Sequence, residues 1–330
     1  MSKKIGFIID PIESINPKKE TTLALAEAAF EMGFEVYFIE AHKISFISEN
    51  EDKASVLTQA HKIIDFKVSC KLVLDKSDLK LFDAIDFAIA EDINCADLDI
   101  VMLRKDPPVD NNYIYLTYFL DHLVSCGVKV MNNPQSIRDV NEKCFILNFP
   151  DLISPSLITS DLDRIIEFLD THQKIVLKPL NAMGGQGIIA ISLDKDSKDI
   201  CINKIKTMLE DYDNNIIMAQ RFLDVHKAGD KRIILINGEP LPSALARFPK
   251  EGGFLANLAA GGHGKVVPLT ARDIEISNRL SPILVERGLN FVGLDVVDDC
   301  LTEVNVTSPT CLREIAGEID VGGMISKLFV

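Results

Sequence analysis

Gly293-Leu294-Asp295-Val296-Val297-Asp298-Asp299-Cys300-Leu301-Thr302-Glu303-Val304-Asn305-Val306-Thr307-Ser308-Pro309 reads as an apolar hairpin that turns at Asp298-Asp299. Residues two apart on a strand share a face, so Glu303 and Asn305 point the same way. An antiparallel partner brings Asp295 alongside them. Two carboxylates and a carboxamide oxygen are hard ligands, suited to Mg²⁺ held together with nucleotide phosphates. The hydroxyl-rich Thr307-Ser308-Pro309-Thr310 that follows reads as a carboxylate-binding turn. An ATP-using enzyme is the expectation.

The rest of the 330-residue chain supports a globular protein of two or three domains, 47% apolar and 25% charged. A net charge of -14 argues against nucleic acid or an anionic membrane as partner. A polyanionic substrate would therefore need a local island of Lys and Arg. No apolar run reaches the roughly 18–20 residues that span a bilayer. The apolar start Ile5–Ile9 stops at Asp10-Pro11, too short for a signal peptide, and reads as a buried strand. Seven cysteines (70, 95, 126, 144, 201, 300, 311) show no C-x₂-C spacing, which fits reduced cytoplasmic thiols rather than zinc or disulfides.

The chain alternates α and β at first: strands at Ile5–Ile9, Phe34–Ile39, Ile100–Leu103 and Val128–Met131, helices at Glu20–Met32 and Tyr113–Val124. This is a doubly wound parallel unit. Phe66–Leu74 reads as one of several short strand-like pieces. Beyond Asn133-Pro134 the spacing predicts a helix over Ser136–Asn148 carrying Lys143, a helix over Leu162–His172, a hairpin from Ile175–Lys178 to Ile188–Ser192, a helix over Ile200–Leu209 and a strand Ile216–Leu223. Strands Arg232–Ile236 and Pro240–Phe248 and a helix Ala271–Arg287 precede the hairpin. The expected domains are 1–135, 136–223 and 224–330, mixing α/β and α+β.

Met183-Gly184-Gly185-Gln186-Gly187 follows strand lysine Lys178. Its glycines allow backbone N–H groups close to phosphate oxygens, or merely satisfy a mobile β-hairpin turn. Lys178 ends an apolar run, so its charge needs an anionic partner, whereas Lys143 reads by default as a solvated surface lysine. Arg104-Lys105-Asp106-Pro107-Pro108 follows a buried strand, where ligands of α/β sheets bind, and reads as an anion or carboxylate site. Arg232 and Arg247 on apolar strands are either paired with a buried carboxylate or aimed at a ligand, the latter favoured for Arg247. Gly252–Gly264, rich in Gly and Ala, reads as a hinged lid, or as a plain flexible loop.

Taken in order, Asp10-Pro11, Arg104–Pro108, Asn141-Glu142-Lys143, Leu177-Lys178-Pro179-Leu180, Met183-Gly184-Gly185, Met218-Ala219-Gln220, Gly229-Asp230-Lys231-Arg232, Ala246-Arg247, Asn257–Gly262, Phe291–Asp295 and Leu301–Cys311 resemble the ATP-grasp ligases, and among them the bacterial glutathione synthetase family. The resemblance covers nearly the whole chain and implies an ATP-grasp fold. By it, Lys143 and Lys178 hold nucleotide phosphates under a cover of Met183, Gly184, Gly185 and Gly187. Gln220, Arg221, Phe222 and Leu223 face adenine, with Asp230 near the ribose. Asp295, Glu303 and Asn305 bind Mg²⁺, with Mn²⁺ as a substitute. Arg232 and Arg247 act on the transferring phosphoryl group, and Arg104, Asn257, Ser308 and Thr310 bind the peptide.

The implied substrates are ATP, γ-glutamylcysteine and glycine, with an acyl phosphate between them, in a cytoplasmic homo-oligomer that is tetrameric by analogy. Leu255 and His263 stand where the family usually has Arg, and so remove positive charge near the acceptor. Rival readings are another ATP-grasp carboxylate–amine ligase and a catalytically silent ATP-binding module.

Overall fold

A strand apolar on both faces is stable only when both are covered, and the first strands of the chain meet that condition. The computed structural model describes residues 2–18, 20–50, 53–69, 80–212, 215–251, 253, 256, 258 and 261–330. Strands β1 (Lys4–Ile9), β2 (Glu35–Glu40), β3 (Ser45–Asn50), β4 (Lys53–Phe66), β5 (Ile85–Phe87), β6 (Glu91–Asn94), β7 (Ile100–Leu103) and β8 (Lys129–Met131) form one sheet. Its main path runs β3-β4-β2-β1-β7-β8, with β5 and β6 also paired to β4. The β2-β1-β7-β8 portion is parallel, whereas β4 runs antiparallel to β2 and β3. Helix Thr21–Glu31 packs with Ile5, Phe7 and Ile9, and helix Asn111–Ser125 packs with Ile8 and Leu103 on the other face.

The sheet is joined to the C-terminal part of the chain by one buried amide. Asn132, just past β8, donates through Nδ2 to Phe291 O (2.8 Å) and Val306 O (2.7 Å). Its Oδ1 accepts from Asn290 N (2.7 Å) and Phe291 N (2.8 Å). Asn132→Leu would leave buried backbone groups without partners. We expect a loss of about 3 kcal/mol, read as a lower urea midpoint.

Strands β9 (Ser156–Thr159), β10 (Lys174–Pro179), β11 (Ile189–Ser192) and β12 (Ile217–Arg221) make an antiparallel sheet in the order β11-β10-β12-β9. Along β10, Ile175, Leu177 and Pro179 are buried in alternation. Ile175 and Leu177 pack with the helices Leu162–His172 and Lys198–Asp211. The period of two therefore turns Val176 and Lys178 to the opposite face.

The third sheet holds β13 (Asp230–Ile236), β14 (Glu239–Pro240), β15 (Ser243–Phe248), β16 (His263–Pro268), β17 (Phe291–Val297) and β18 (Cys300–Asn305). Its path is β16-β15-β13-β17-β18, with β14 paired to β13. The β17–β18 turn has both central residues left-handed, Asp298 at φ 46° and Asp299 at φ 62°, the geometry that suits a two-residue hairpin. Helix Ala271–Glu286 starts at a reciprocal Thr270/Asp273 cap, and Asp273 also pairs with buried Lys231 at 2.5 Å.

Three local expectations are corrected. The helix expected over Ser136–Asn148 stops at Asp139. Val140 is extended, and Asn141 Oδ1 accepts from Lys143 N (3.1 Å) and Cys144 N (3.0 Å). That side-chain turn offers the backbone an alternative to helix, and a short 3₁₀ turn, Phe145–Asn148, follows. The expected strand Pro240–Phe248 is two strands, interrupted at Leu241-Pro242. Phe66–Leu74 is strand only at Phe66, the end of β4, and its part from 70 to 74 lies outside the described residues. No helix among the described residues is long and apolar enough to cross a membrane.

Candidate active site

Sheet register brings the charged residues together. Arg232 lies opposite Asp295, Asp295 opposite Glu303, and Asp230 opposite Arg247. Arg232 grips Asp295 with two hydrogen bonds, Nε to Oδ1 at 2.5 Å and Nη2 to Oδ2 at 3.0 Å. Arg247 Nη2 lies 3.0 Å from Asp295 Oδ1 and 2.8 Å from Asp230 Oδ1. All three residues of the Arg–Asp–Arg group are buried. Burial alone would raise the Asp295 carboxyl, but the two guanidiniums outweigh it and hold the group well below the usual carboxylate range. Asp230 moves the other way: burial raises its carboxyl, with Asp295 adding and Arg247 opposing. Gly293 makes room for this arrangement, since a Cβ there would meet Arg232 Cδ at 2.9 Å and Pro309 Cβ at 3.0 Å.

The two lysines differ in partners. Lys143, expected by default at the surface, is 5% exposed. Its Nζ donates to Ala182 O at 2.7 Å and pairs with Glu303 Oε1 at 2.9 Å. Burial pulls its ammonium down, yet Glu303 with Glu142 and Asp295 raises it overall. Lys178 instead donates to a neutral amide, Gln220 Oε1, at 2.9 Å, and Gln220 Nε2 donates on to Ser156 Oγ at 2.9 Å. Burial lowers the Lys178 ammonium. A half-buried cation whose hydrogen bond goes to a neutral group rather than into a direct ion pair favours an arriving anion.

A cavity opens on these groups. Its walls are Val176 and Lys178 of β10, the loop at Ala182–Gly185, residues 220–223 at the end of β12, and Asp230, Asp295 and Glu303. In residues 220–223, Arg221 N already bonds Pro155 O and Phe222 N bonds Lys174 O. The loop takes left-handed backbone at Gly184, Gly185 and Gly187. At Gly187 a Cβ would fall 1.9 Å from the Tyr212 hydroxyl and 2.9 Å from Pro179 Cγ. Gly187→Ala therefore combines an unfavourable φ with a clash. We expect KM for ATP to rise about tenfold, near 1.4 kcal/mol, with a smaller change in melting temperature.

A second cavity adjoins the first, sharing Met183, Gly184 and Glu303. It reaches Asp10 and Arg104 at the ends of β1 and β7, and is bordered by Asn305, Ser308 and Thr310. Buried Ser308 donates to Arg104 O at 3.1 Å, while Thr310 is exposed. Asn305 Nδ2 donates to Gly293 O at 3.2 Å, leaving its amide oxygen as the end suited to a cation. Sequence reading named the motif around Glu142 but gave this residue no role. Its Oε1 accepts from Val306 N (2.9 Å), Thr307 N (3.1 Å) and Thr307 Oγ1 (2.9 Å), fastening the segment after β18. Gln220 and Ser156, which aim Lys178, were likewise invisible as a relay. Asn257 and Leu255 lie outside the described residues, and so do 252, 254, 259 and 260 of the expected lid.

Among the described residues no group of three or more His, Cys, Asp or Glu gathers to hold an ion alone. The oxygens of Asp295, Glu303 and Asn305 are hard donors, but Asp295 faces two arginines and Glu303 faces Lys143. This donor set fits a divalent cation that arrives with phosphate oxygens to complete its shell.

Two family models match the chain: the prokaryotic glutathione synthetase N-terminal domain over residues 3–138, and the prokaryotic glutathione synthetase ATP-grasp domain over residues 142–320. The glutathione synthetase of Vibrio vulnificus is 41% identical over 318 residues, covering 96% of this chain and 94% of the relative. That of Yersinia pestis is 39% identical over 325 residues, covering 98% and 95%. Among solved structures, the D-cycloserine synthetase DcsG superposes with a TM-score of 0.64 at 10% identity, covering 99% and 98%. The ATP-grasp ligase PsnB, complexed with minimal precursor, Mg and ADP, gives 0.60 at 15% identity, covering 98% and 97%. These two likenesses bear on the fold alone.

Proposed function

Because the chain belongs to the prokaryotic glutathione synthetase family, and is an ATP-dependent ligase of ATP-grasp fold that makes glutathione, we propose that it joins γ-glutamylcysteine to glycine at the junction of its two cavities. The observation that carries the reading is Glu303, which borders both cavities and pairs with Lys143.

ATP lies in the first cavity. Val176, Ile188 and Val297 offer apolar contact to the base, and the strand end at Leu223 meets its edge. Asp230 receives the ribose. Lys143 and Lys178 take phosphate oxygens, and the glycine loop closes over them with backbone N–H groups. Lys178, aimed by Gln220, gains a direct ionic partner. Asp295, Glu303 and Asn305 would hold Mg²⁺, which when bound draws charge from the phosphoryl oxygens. Glu303, paired with Lys143 in the free site, would supply one of the carboxylate oxygens.

A carboxylate is a poor electrophile for an amine, so the peptide's terminal carboxylate attacks the γ-phosphorus and ADP leaves. Arg232 and Arg247 line the second cavity beside that junction. Their N–H groups stabilise the charge spread over the transferring phosphoryl group, and Asp295 keeps them in place without reorganisation. Glycine's neutral amine captures the acyl phosphate and inorganic phosphate departs. Arg104, Ser308, Thr310 and Asn257 hold the peptide, and the segment 252–264 covers the intermediate against water. Residues 1–135, 136–223 and 224–330 are the working domains of this reading. Mn²⁺ as a substitute ion, a cytoplasmic location and a homotetramer complete it, supported by the family resemblance alone.

The test supplies ATP, Mg²⁺, γ-glutamylcysteine and glycine, and follows phosphate release with product mass. Phosphate released with other amines but not with glycine would remove the acceptor assignment.

A further inference from the structure

In the first sheet, β1 leads through its helix to β2 on one side, whereas β7 leads through its helix to β8 on the other. The crevice between the C-terminal ends of β1 and β7 is thus a topological switch point, where open α/β sheets bind ligands. Arg104 stands there, with a side chain fully buried. Its Nε donates to Thr22 Oγ1 at 3.0 Å and its Nη2 to Pro309 O at 3.1 Å. Its Nη1 is buried with no hydrogen-bond partner among the described residues. The second cavity lies against it. An orphaned guanidinium N–H of this kind asks for an anionic oxygen.

Carboxylates surround the same spot. Asp10 is spent, its Oδ1 on Lys105 Nζ (3.1 Å) and its Oδ2 on Asp106 N (2.8 Å). Glu20 uses Oε1 on Thr22, with that oxygen 3.9 Å from Arg104 Nη2. Asp106 is raised first by burial and then by Glu20, with Arg104 opposing, so a further cation beside it would be favourable. One guanidinium N–H and two carboxylates facing a cavity match the carboxylate and ammonium of an α-amino acid.

We propose that Arg104, Asp106 and Glu20 form a receptor for the zwitterionic α-amino acid head of the acyl donor, and so select a γ-linked glutamyl group. This rests on γ-glutamylcysteine being that donor. With the reacting carboxylate at Glu303, the γ-linkage places the free amino acid head at the far end of the peptide. An extended dipeptide already spans about 7 Å. Glycine cannot occupy this receptor productively, because its amine must be neutral and beside the acyl phosphate.

The experiment compares γ-glutamylcysteine with N-glutarylcysteine, which keeps the distal carboxylate and lacks only the α-ammonium, in the wild type, Asp106→Asn and Glu20→Gln, with kcat and KM for every substrate. We expect the wild type to show a KM about 10–100-fold higher for the glutaryl compound, the scale of a lost charged hydrogen bond. Asp106→Asn and Glu20→Gln should raise KM for γ-glutamylcysteine by about tenfold while barely moving that for N-glutarylcysteine, ATP or glycine. Equal use of the two donors by the wild type, which needs no variant to fold, overturns the receptor and leaves the proposed reaction standing. Equal loss for both donors in both variants overturns it as well. Failure of the wild type to turn over γ-glutamylcysteine at all overturns the reaction and the receptor with it.

Discussion

Glu303→Gln is expected to lower kcat for phosphate release by about a thousandfold, near 4 kcal/mol of transition-state stabilisation. The carboxylate is partly exposed, faces Lys143 at 2.9 Å, and borders both cavities. Glutamine keeps the shape and an acceptor for the lysine, so the melting temperature should stay within about 2 °C. What it removes is the negative charge that, in the proposed reaction, a divalent cation needs next to the transferring phosphoryl group. The half-saturating Mg²⁺ concentration should therefore rise with the fall in kcat. Steady-state phosphate release titrated with Mg²⁺ reads both. A kcat within tenfold of the wild type would rule out Glu303 as a metal ligand.

The hairpin that carries Glu303 was legible because most of what it needs is local. Alternation sets the faces and Asp298-Asp299 sets the turn, but that turn alone would pair Asp295 with Thr302; a register shift between Asp295 and Val296, which local pattern does not announce, brings Asp295 opposite Glu303. The helix Leu162–His172 was equally plain, with Asp161 capping Asp163 N and Arg164 N. Lys143 was not. Its burial depends on Ala182 O, 39 residues away, and on Glu303 in another sheet, contacts that no local pattern encodes. The helix expected around it failed for a local reason, since the Asn141 turn wins over helical spacing. β4 escaped notice because polar residues such as Gln59, His61 and Lys62 break up its apolar content. The relay from Ser156 through Gln220 to Lys178 joins three strands by register alone, and a single sequence contains no trace of register between distant strands.

Asp295→Asn should be the most damaging single change to stability and activity together. The wild-type carboxylate neutralises Arg232 and Arg247 in a buried setting, and removing one partner of such a group costs about 3–5 kcal/mol. At about 2.1 cal/mol/K per residue, that lowers the melting temperature of this chain by roughly 5 °C. Activity should fall by at least about a thousandfold, because two guanidiniums lose their alignment and the proposed cation loses a ligand at once. The acid limb of stability gives an independent check. A carboxyl depressed in the folded state contributes stability that is present above its unfolded pKa, near 3.9, and is lost as pH falls through the folded value. In that window the unfolded chain holds a proton that the native state does not, so the wild type should lose about 1.4 kcal/mol per pH unit through this residue. The carboxamide of the Asp295→Asn variant has no proton to take up, and the pH slope below about 4 should be shallower by one proton. Adding Arg232→Met to Asp295→Asn removes the cation whose ion pair is with Asp295, leaves the Arg247–Asp230 pair in place, and should restore part of the stability but none of the activity. Recovery of both would mean that the Arg–Asp–Arg group only holds the sheet together.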